Sequence, residues 1–486
     1  MDGPPLDPDF TVLLGQAVTS AALPQAEPET LPANAIETLT EHLRREPALL
    51  EDGIRRSIEA VIAGIDLMLS AQLNAILHAP DYQRLEATWR GLHMLLRQTD
   101  KDAGVKVKVL NISKRELTRS LRKFRGGMWD QGPIFGKIYE EEFGQLGGEP
   151  YGALIGDYEF DQRPDDVALL SDLAMIAAAA HAPFISAAAP SLLQMETWAE
   201  VANPRDLVRI FSTPEYVSWR ALREQQDARY IALCMPRFLA RLPYGSNTDP
   251  LDAFAFEEET EGPDTSKLLW ANPAWGFACN LTRAFAQYGW CARIRGIDRG
   301  GVVEGLPVLH HPTADGNMDR RTVTEICISE RREAELASCG LMPLVHRKNS
   351  DVAAFISAQS LQKPQVFDDP DATANANLSS RLPYLFASCR FAHYLKCMVR
   401  DKVGSSMSRS QLQSWLAEWL IGYVDGSPQT STEDFKASHP LSDGRVTLDD
   451  VPDRPGQYAA KVYLTPHYQL EGLSVALRLT SRVAQQ

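Results

Sequence analysis

The chain has 486 residues, 44% hydrophobic and 23% charged, and a formal net charge of −14 at pH 7. That length exceeds what a single hydrophobic core usually fills, so two domains with appended segments are expected, and the composition excludes a disordered tail. The acidic balance opposes the clustered cations that phosphate contacts need, which argues against a nucleic-acid partner.

Residues 1–50 are punctuated by Pro4, Pro5, Pro8, Pro24, Pro28, Pro32 and Pro47 and read as a flexible N-terminal arm. Within it Phe10, Leu13, Leu14 and Val18 could share one short helical face. The first ten residues, MDGPPLDPDF, lack the positive leader and apolar run of a secretory signal. Seven cysteines without a CxxC pair fit reduced thiols and a cytoplasmic setting.

Residues 51–130 read as a helical region. Ile54, Ile58, Val61, Ile65, Leu69, Leu73 and Ile76 keep one apolar side over several turns, and Pro80 ends the pattern. Leu85, Trp89, Leu92, Leu95 and Leu96 give a second helix, expected to form a hairpin with the first. Val105, Val107 and Val109 alternate with Lys106 and Lys108, which predicts a half-buried strand. Ser113 and Glu116 then offer a capping box for a helix bearing Leu117, Leu121 and Phe124.

Residues 131–370 alternate short apolar runs with helical patterns, which predicts a mixed α/β body. Strands are expected at 153–158, near 184, at 230–234, near 302 and at 324–328, with helices at 165–180 and 268–288. The uncharged stretch 173–193 carries His181 and is broken by Pro183 and Pro190, so it reads as buried helix, turn and strand and not as a membrane span. Residues 371–486 carry aromatic-rich helices at 382–400 and 411–423, then strands at 445–451, 458–464 and 473–480. Paired strands this few are marginal alone in water, so Tyr458, Val462, Leu464, Leu473, Val475 and Leu477 are expected to join a sheet that other chains complete.

Chemistry is hard to find. There is no GxxxxGK[ST] loop, GxSxG elbow, HExxH helix or EF-hand loop. Adjacent His310 and His311 project apart on a regular backbone, and Cys279 with Cys291, or Cys327 with Cys339, lie too far apart for a zinc knuckle. Asp157 with Glu159, or Asp165 with Asp166, could be an acid/base pair, though carboxylates at a helix start are more often capping groups. The basic run Lys106 to Arg125 could face an acidic protein or be a solvated helix face, with nucleic acid third. The acidic run Glu257, Glu258, Glu259 reads as a solvated loop, and RGGVVEGLP (299–307) as tight turns. No catalytic residue, metal site or cofactor is expected.

Several long blocks, in order, resemble the TssC or VipB family of type VI secretion sheath large subunits. They are LSAQLNAILHAPDYQRLEATWRGL (69–92), VLNISKREL (109–117), KIYEEEFGQLGGEPYGALIGDYEF (137–160), AAAAHAPFISAAAP (177–190), PRFLARLPYG (236–245), FAQYGWCARIRGIDRGGVVEGLP (285–307), TANANLSSRLPYLFASCRFAHYLK (373–396) and LTPHYQLEGL (464–473). The resemblance implies a contractile-sheath fold and a structural, non-enzymatic role. It also implies a small partner subunit of the TssB or VipA type packing on the helical region, further copies of the chain in a helical sheath, an Hcp tube inside it, a baseplate and the ClpV ATPase. Relatives exchange C-terminal strands between heterodimers, a form of β-augmentation. The arm departs from the family pattern, since 11–26 lacks the acidic residues of the helix that ClpV takes in some relatives; Phe10, Leu13, Leu14 and Val18 could still anchor such a handle. A phage-tail-like sheath, which works as a single self-sufficient chain, and a metabolic enzyme are the alternatives; the enzyme would need a pocket of convergent polar groups.

Overall fold

The computed structural model describes residues 54–203, 206–251, 254–260, 265–312, 318–402, 407–450 and 458–467. Phe10, Leu13, Leu14, Val18, Leu473, Val475 and Leu477 lie outside the described residues. Two compact units emerge, one from the first helix with the 244–259 segment, the other from 78–243 with the remainder.

In the first unit, helix α1 (Ile54–Leu77) buries Val61 but leaves Leu67, Met68, Leu69 and Ile76 exposed, Leu67 at 72%. Only part of the expected apolar side is therefore covered. The Glu59–Leu77 stretch is long and apolar enough to cross a bilayer by composition, with 17% of that window buried. Asn74 ties α1 to the 244–259 segment, its amide donating to the Glu257 carbonyl at 3.5 Å and its Oδ1 accepting from the Glu259 N–H at 2.9 Å. The acidic run is thus not simply solvated: Glu258 is buried, and its carboxylate accepts the Tyr244 N–H at 2.9 Å, as Glu257 does that of Ser246. Carboxylates bonded to main-chain amides are held, not left to water.

The second unit opens with α2 (Pro80–Gln98), where Pro80 takes the first-turn position that tolerates it. Its buried line is Gly91 and Leu95, whereas the expected core residues Leu85, Trp89 and Leu96 are exposed. The reason lies at Gly91, where a Cβ would stand 2.3 Å from the Trp275 ring; glycine lets α2 sit directly on α6 (Pro273–Tyr288) and turns the opposite face outward. Helix α3 (Lys114–Lys123) has the expected capping box between Ser113 and Glu116. The strand expected at 105–109 does not form, and Val107 and Val109 face solvent.

The centre is a six-stranded sheet. In chain order its strands are β1 (Leu154–Phe160), β2 (Phe184–Ala188), β3 (Ile231–Met235), β4 (Val302–Val303), β5 (Leu341–His346) and β6 (Ala353–Phe355). Their spatial order is β1-β2-β3-β5-β6-β4, parallel from β1 to β5 and antiparallel at β5/β6 and β6/β4. FISAA in β2 and IALCM in β3 are buried throughout, as strands covered on both faces must be. Helices α4 (Pro164–Ala180) and α6 pack on the sheet, and Trp198, Tyr216 and, on α5 (Val217–Glu224), Trp219 extend the same core. The 173–193 stretch is helix, turn and strand as expected, His181 closing α4 in the left-handed region at φ 51°. No strand forms over 324–328, where Thr324 makes one bridge to Phe238. The glycines of RGGVVEGLP do form turns, and the Gly301 N–H and C=O bond Gly296 and Phe355 at 2.9 Å each.

Helices α7 (Leu382–Asp401) and α8 (Arg409–Ile421) build a second core around Trp290, Phe391, Leu416 and Leu420. His393 on α7 is 2% exposed and donates from Nε2 to the Ala180 carbonyl at 2.9 Å. Burial, then the charges of Arg390, His181 and Lys396, push its pKa down to about 4 from 6.5. The folded pKa lies below the ordinary one, so the unfolded chain takes up the proton first. Stability is full above pH 6.5 and falls by about 3 kcal/mol as pH drops to 4, at about 1.4 kcal/mol per unit. Urea unfolding of the chain co-purified in its soluble complex should show this step across that window, and His393→Leu should remove it; an unchanged acid limb in the variant would contradict the assignment.

Candidate inter-subunit site

The C-terminal end of the described chain is a hairpin of β7 (Leu441–Asp450) and β8 (Tyr458–Pro466), paired antiparallel with Val446 opposite Val462 and Asp450 opposite Tyr458. The expected 445–451 and 458–464 strands are therefore present and paired to each other. They form a two-stranded sheet separate from the central one. Helix α8, capped by Ser408 and Gln411, supports the inner strand. Gly444 allows that contact, since a Cβ there would meet Leu420 at 2.9 Å, and the Gln413 side chain accepts the Leu448 N–H at 3.3 Å.

Alternation then sorts the side chains. Val462 and Leu464 pack on the second core; Tyr463 on the other face is 58% exposed, and Tyr458 at the strand start is 36% exposed. Lys461 and Asp449 pair across the exposed face at 2.8 Å, which raises the lysine pKa and lowers the carboxyl through the hydrogen bond between them. Among the described residues β8 has no strand on its outer edge. Such an edge presents a row of unpaired N–H and C=O groups, the template for adding another strand. Tyr463 was not among the residues singled out from the sequence, although its place between Val462 and Leu464 fixes it on the opposite face.

The catalytic candidates separate into structural roles. Asp157 on β1 accepts from Thr88 Oγ1 at 2.5 Å, and burial pushes its carboxyl up, while Glu159 is exposed. Asp166 pairs with Lys114 at 2.7 Å and accepts the Asp161 N–H at 3.0 Å, so it ties the first turn of α4 to its surroundings without capping the helix. Cys279, Cys291 and Cys389 have thiols pushed up to about 12 by burial and are unreactive at neutral pH. Among the described residues no group of three His, Cys, Asp or Glu converges on a metal position. A cleft beside the hairpin is lined by Arg293, Arg299, Tyr384, Glu433, Lys436 and His467. Its cations are engaged within the chain, Arg293 by Asp434, and Arg299 and Lys436 by the single carboxylate of Glu433 at 3.0 and 3.4 Å.

Two family profiles cover nearly all of the described chain: the EvpB/VC_A0108 tail sheath N-terminal domain (VipB) over residues 59–362, and the EvpB/VC_A0108 tail sheath gpW/gp25-like domain over 371–483. The chain belongs to the VipB family of tail sheath proteins. The type VI secretion system sheath protein TssC1 of Pseudomonas aeruginosa is 59% identical over 449 residues, 92% of this chain and 90% of the relative. The VipB assignment makes the chain a large subunit of a type VI secretion sheath, a structural protein and not an enzyme. Among solved structures, the anti-feeding prophage baseplate is 12% identical at a TM-score of 0.38, covering 79% of this chain and 84% of that one. The contracted sheath of an extracellular contractile injection system is 9% identical at 0.34, covering 65% and 68%. Likeness at that level carries no weight beside the VipB profiles.

Proposed function

We propose that the chain pairs with a small sheath subunit of the TssB or VipA type, and that the heterodimers stack in helical rings around an Hcp tube in the cytoplasm. The sheath rises from a baseplate, contracts to drive effector delivery, and is dismantled afterwards by ClpV. The observation that carries this reading is the two-stranded β7–β8 sheet with its open outer edge, which strands from neighbouring heterodimers would complete. Residues 473–480, with Leu473, Val475 and Leu477, supply a further strand in the same exchange. The exposed apolar side of α1 is where the small subunit packs; a soluble partner covers such a surface as well as lipid does.

Made alone, the chain is expected to be insoluble or degraded. Co-expressed with the small subunit, it is expected to yield soluble heterodimers and, in negative-stain micrographs, hollow tubes. Tubes from this chain by itself would favour the self-sufficient phage-type sheath.

A further inference from the structure

Val105 to Val109 carry a strand's alternation but form no strand. Residues 105–113 run without a turn, and across 105–111 no main-chain N–H or C=O finds a hydrogen-bond partner among the described residues. Side chains hold the segment instead. Lys106 pairs with Glu149 at 2.6 Å and Lys108 with Glu142, the Ile112 carbonyl accepts from the Tyr158 hydroxyl at 2.7 Å, and Lys114 donates to the Glu159 carbonyl at 2.6 Å. These contacts tie 106 and 108 to the stretch that precedes β1, and 112 and 114 to β1 itself, an edge strand of the central sheet. Val107 and Val109, which alternate with the two lysines, are 36% and 70% exposed, and Leu110 is 49% exposed. Exposed strands are usually guarded by lysines, but here both lysines are drawn into ion pairs, so an apolar, hydrogen-bond-ready edge stays open.

Immediately beyond it, Arg115, Arg119 and Arg122 form one exposed stripe on α3. Arg115 and Arg122 make no hydrogen bond or ion pair among the described residues, and Arg119 meets only the field of Glu116. A bare cationic stripe on a chain of net charge −14 selects for an acidic neighbour. We infer that residues 105–111 accept an added β-strand from the small sheath subunit, and that this strand, or the turn leading from it, carries carboxylates that meet Arg115, Arg119 and Arg122. The inference rests on the pairing proposed above and names a surface for it distinct from the C-terminal hairpin.

Hydrogen–deuterium exchange on the co-purified heterodimer, before tubes assemble, tests it. The amides of 105–111 are expected to exchange at least about 100-fold more slowly than those of the exposed turn at 126–128. The triple variant Arg115→Glu/Arg119→Glu/Arg122→Glu is expected to weaken retention of the small subunit at least tenfold at about 50 mM salt, and less as screening rises. A heterodimer that forms while 105–111 exchanges as fast as the turn would overturn this inference and leave the pairing intact. Protection appearing only in assembled tubes would overturn it too, assigning the edge to another copy of the chain. Failure of the unaltered chains to co-purify would instead sink the pairing.

Discussion

Removing residues 473–486 is expected to abolish sheath tubes while leaving heterodimers that co-purify in normal yield. The expectation follows from the hairpin. Val462 and Leu464 anchor β8 to the second core, so the β7–β8 pair remains in place when the chain is shortened after it. What the truncated chain lacks is the strand proposed for 473–480, and with it the main-chain hydrogen bonds that would link one heterodimer to its neighbours. Each such bond is worth about 1 kcal/mol net, but a ladder of them repeated at every lattice contact decides between polymer and free dimer. Counting tubes in micrographs of the co-expressed pair provides the measurement, and tubes of normal length and number would refute the strand exchange.

The second large effect is internal. Gly301→Ala is expected to destabilise the chain by about 3 kcal/mol, at or beyond the usual upper end for overpacking. A Cβ at Gly301 would lie 2.5 Å from the Phe355 carbonyl oxygen, 2.6 Å from the Arg295 carbonyl carbon and 2.6 Å from the Gly296 nitrogen. All three are main-chain atoms, so no side-chain rotation relieves the contact. The same residue bonds Gly296 and Phe355 through its N–H and C=O, and relaxing the clash would pull on β6, which lies between β5 and β4 in the central sheet. Gly127→Ala is the control, since nothing lies within 4 Å of its Cβ position, and should change stability by less than about 0.5 kcal/mol. Urea midpoints of the two variants, each co-purified with the small subunit, separate the close-approach account from a general intolerance of alanine for glycine.

How much of this could be read from the residues depended on what each pattern had to decide. FISAA and IALCM announced themselves because a strand buried on both faces carries nothing else, and the Ser113–Glu116 box and the 173–193 break were local signals that the fold obeyed. The long helix expected from 268 begins at Pro273 instead. Asn272 caps it through the Ala274 N–H, and Trp270–Ala271 pairs as a short strand with Phe238–Leu239. Local periodicity misled where partners decide burial. Trp89 and Leu85 look like core residues, yet Gly91 turns the other side of α2 to the protein. Val105, Val107 and Val109 have a strand's alternation, but whether a strand forms depends on a second backbone that the described residues do not supply at 105–111. Glu258 looked solvated because a sequence does not show which amides a carboxylate will reach. At the candidate site, the strands themselves were legible; that Val462 and Leu464 would face inward and leave the edge to main-chain groups and Tyr463 was not, because it required knowing where α8 lies.

The central claim is that the β7–β8 sheet is finished by backbone from other molecules. Cryo-electron microscopy of tubes from the chain co-expressed with its small subunit addresses it directly. The account predicts a map in which the outer edge of β8 is hydrogen-bonded to a strand traceable to a different heterodimer. A map in which that edge stays bare, with tubes held together by other surfaces, would contradict it.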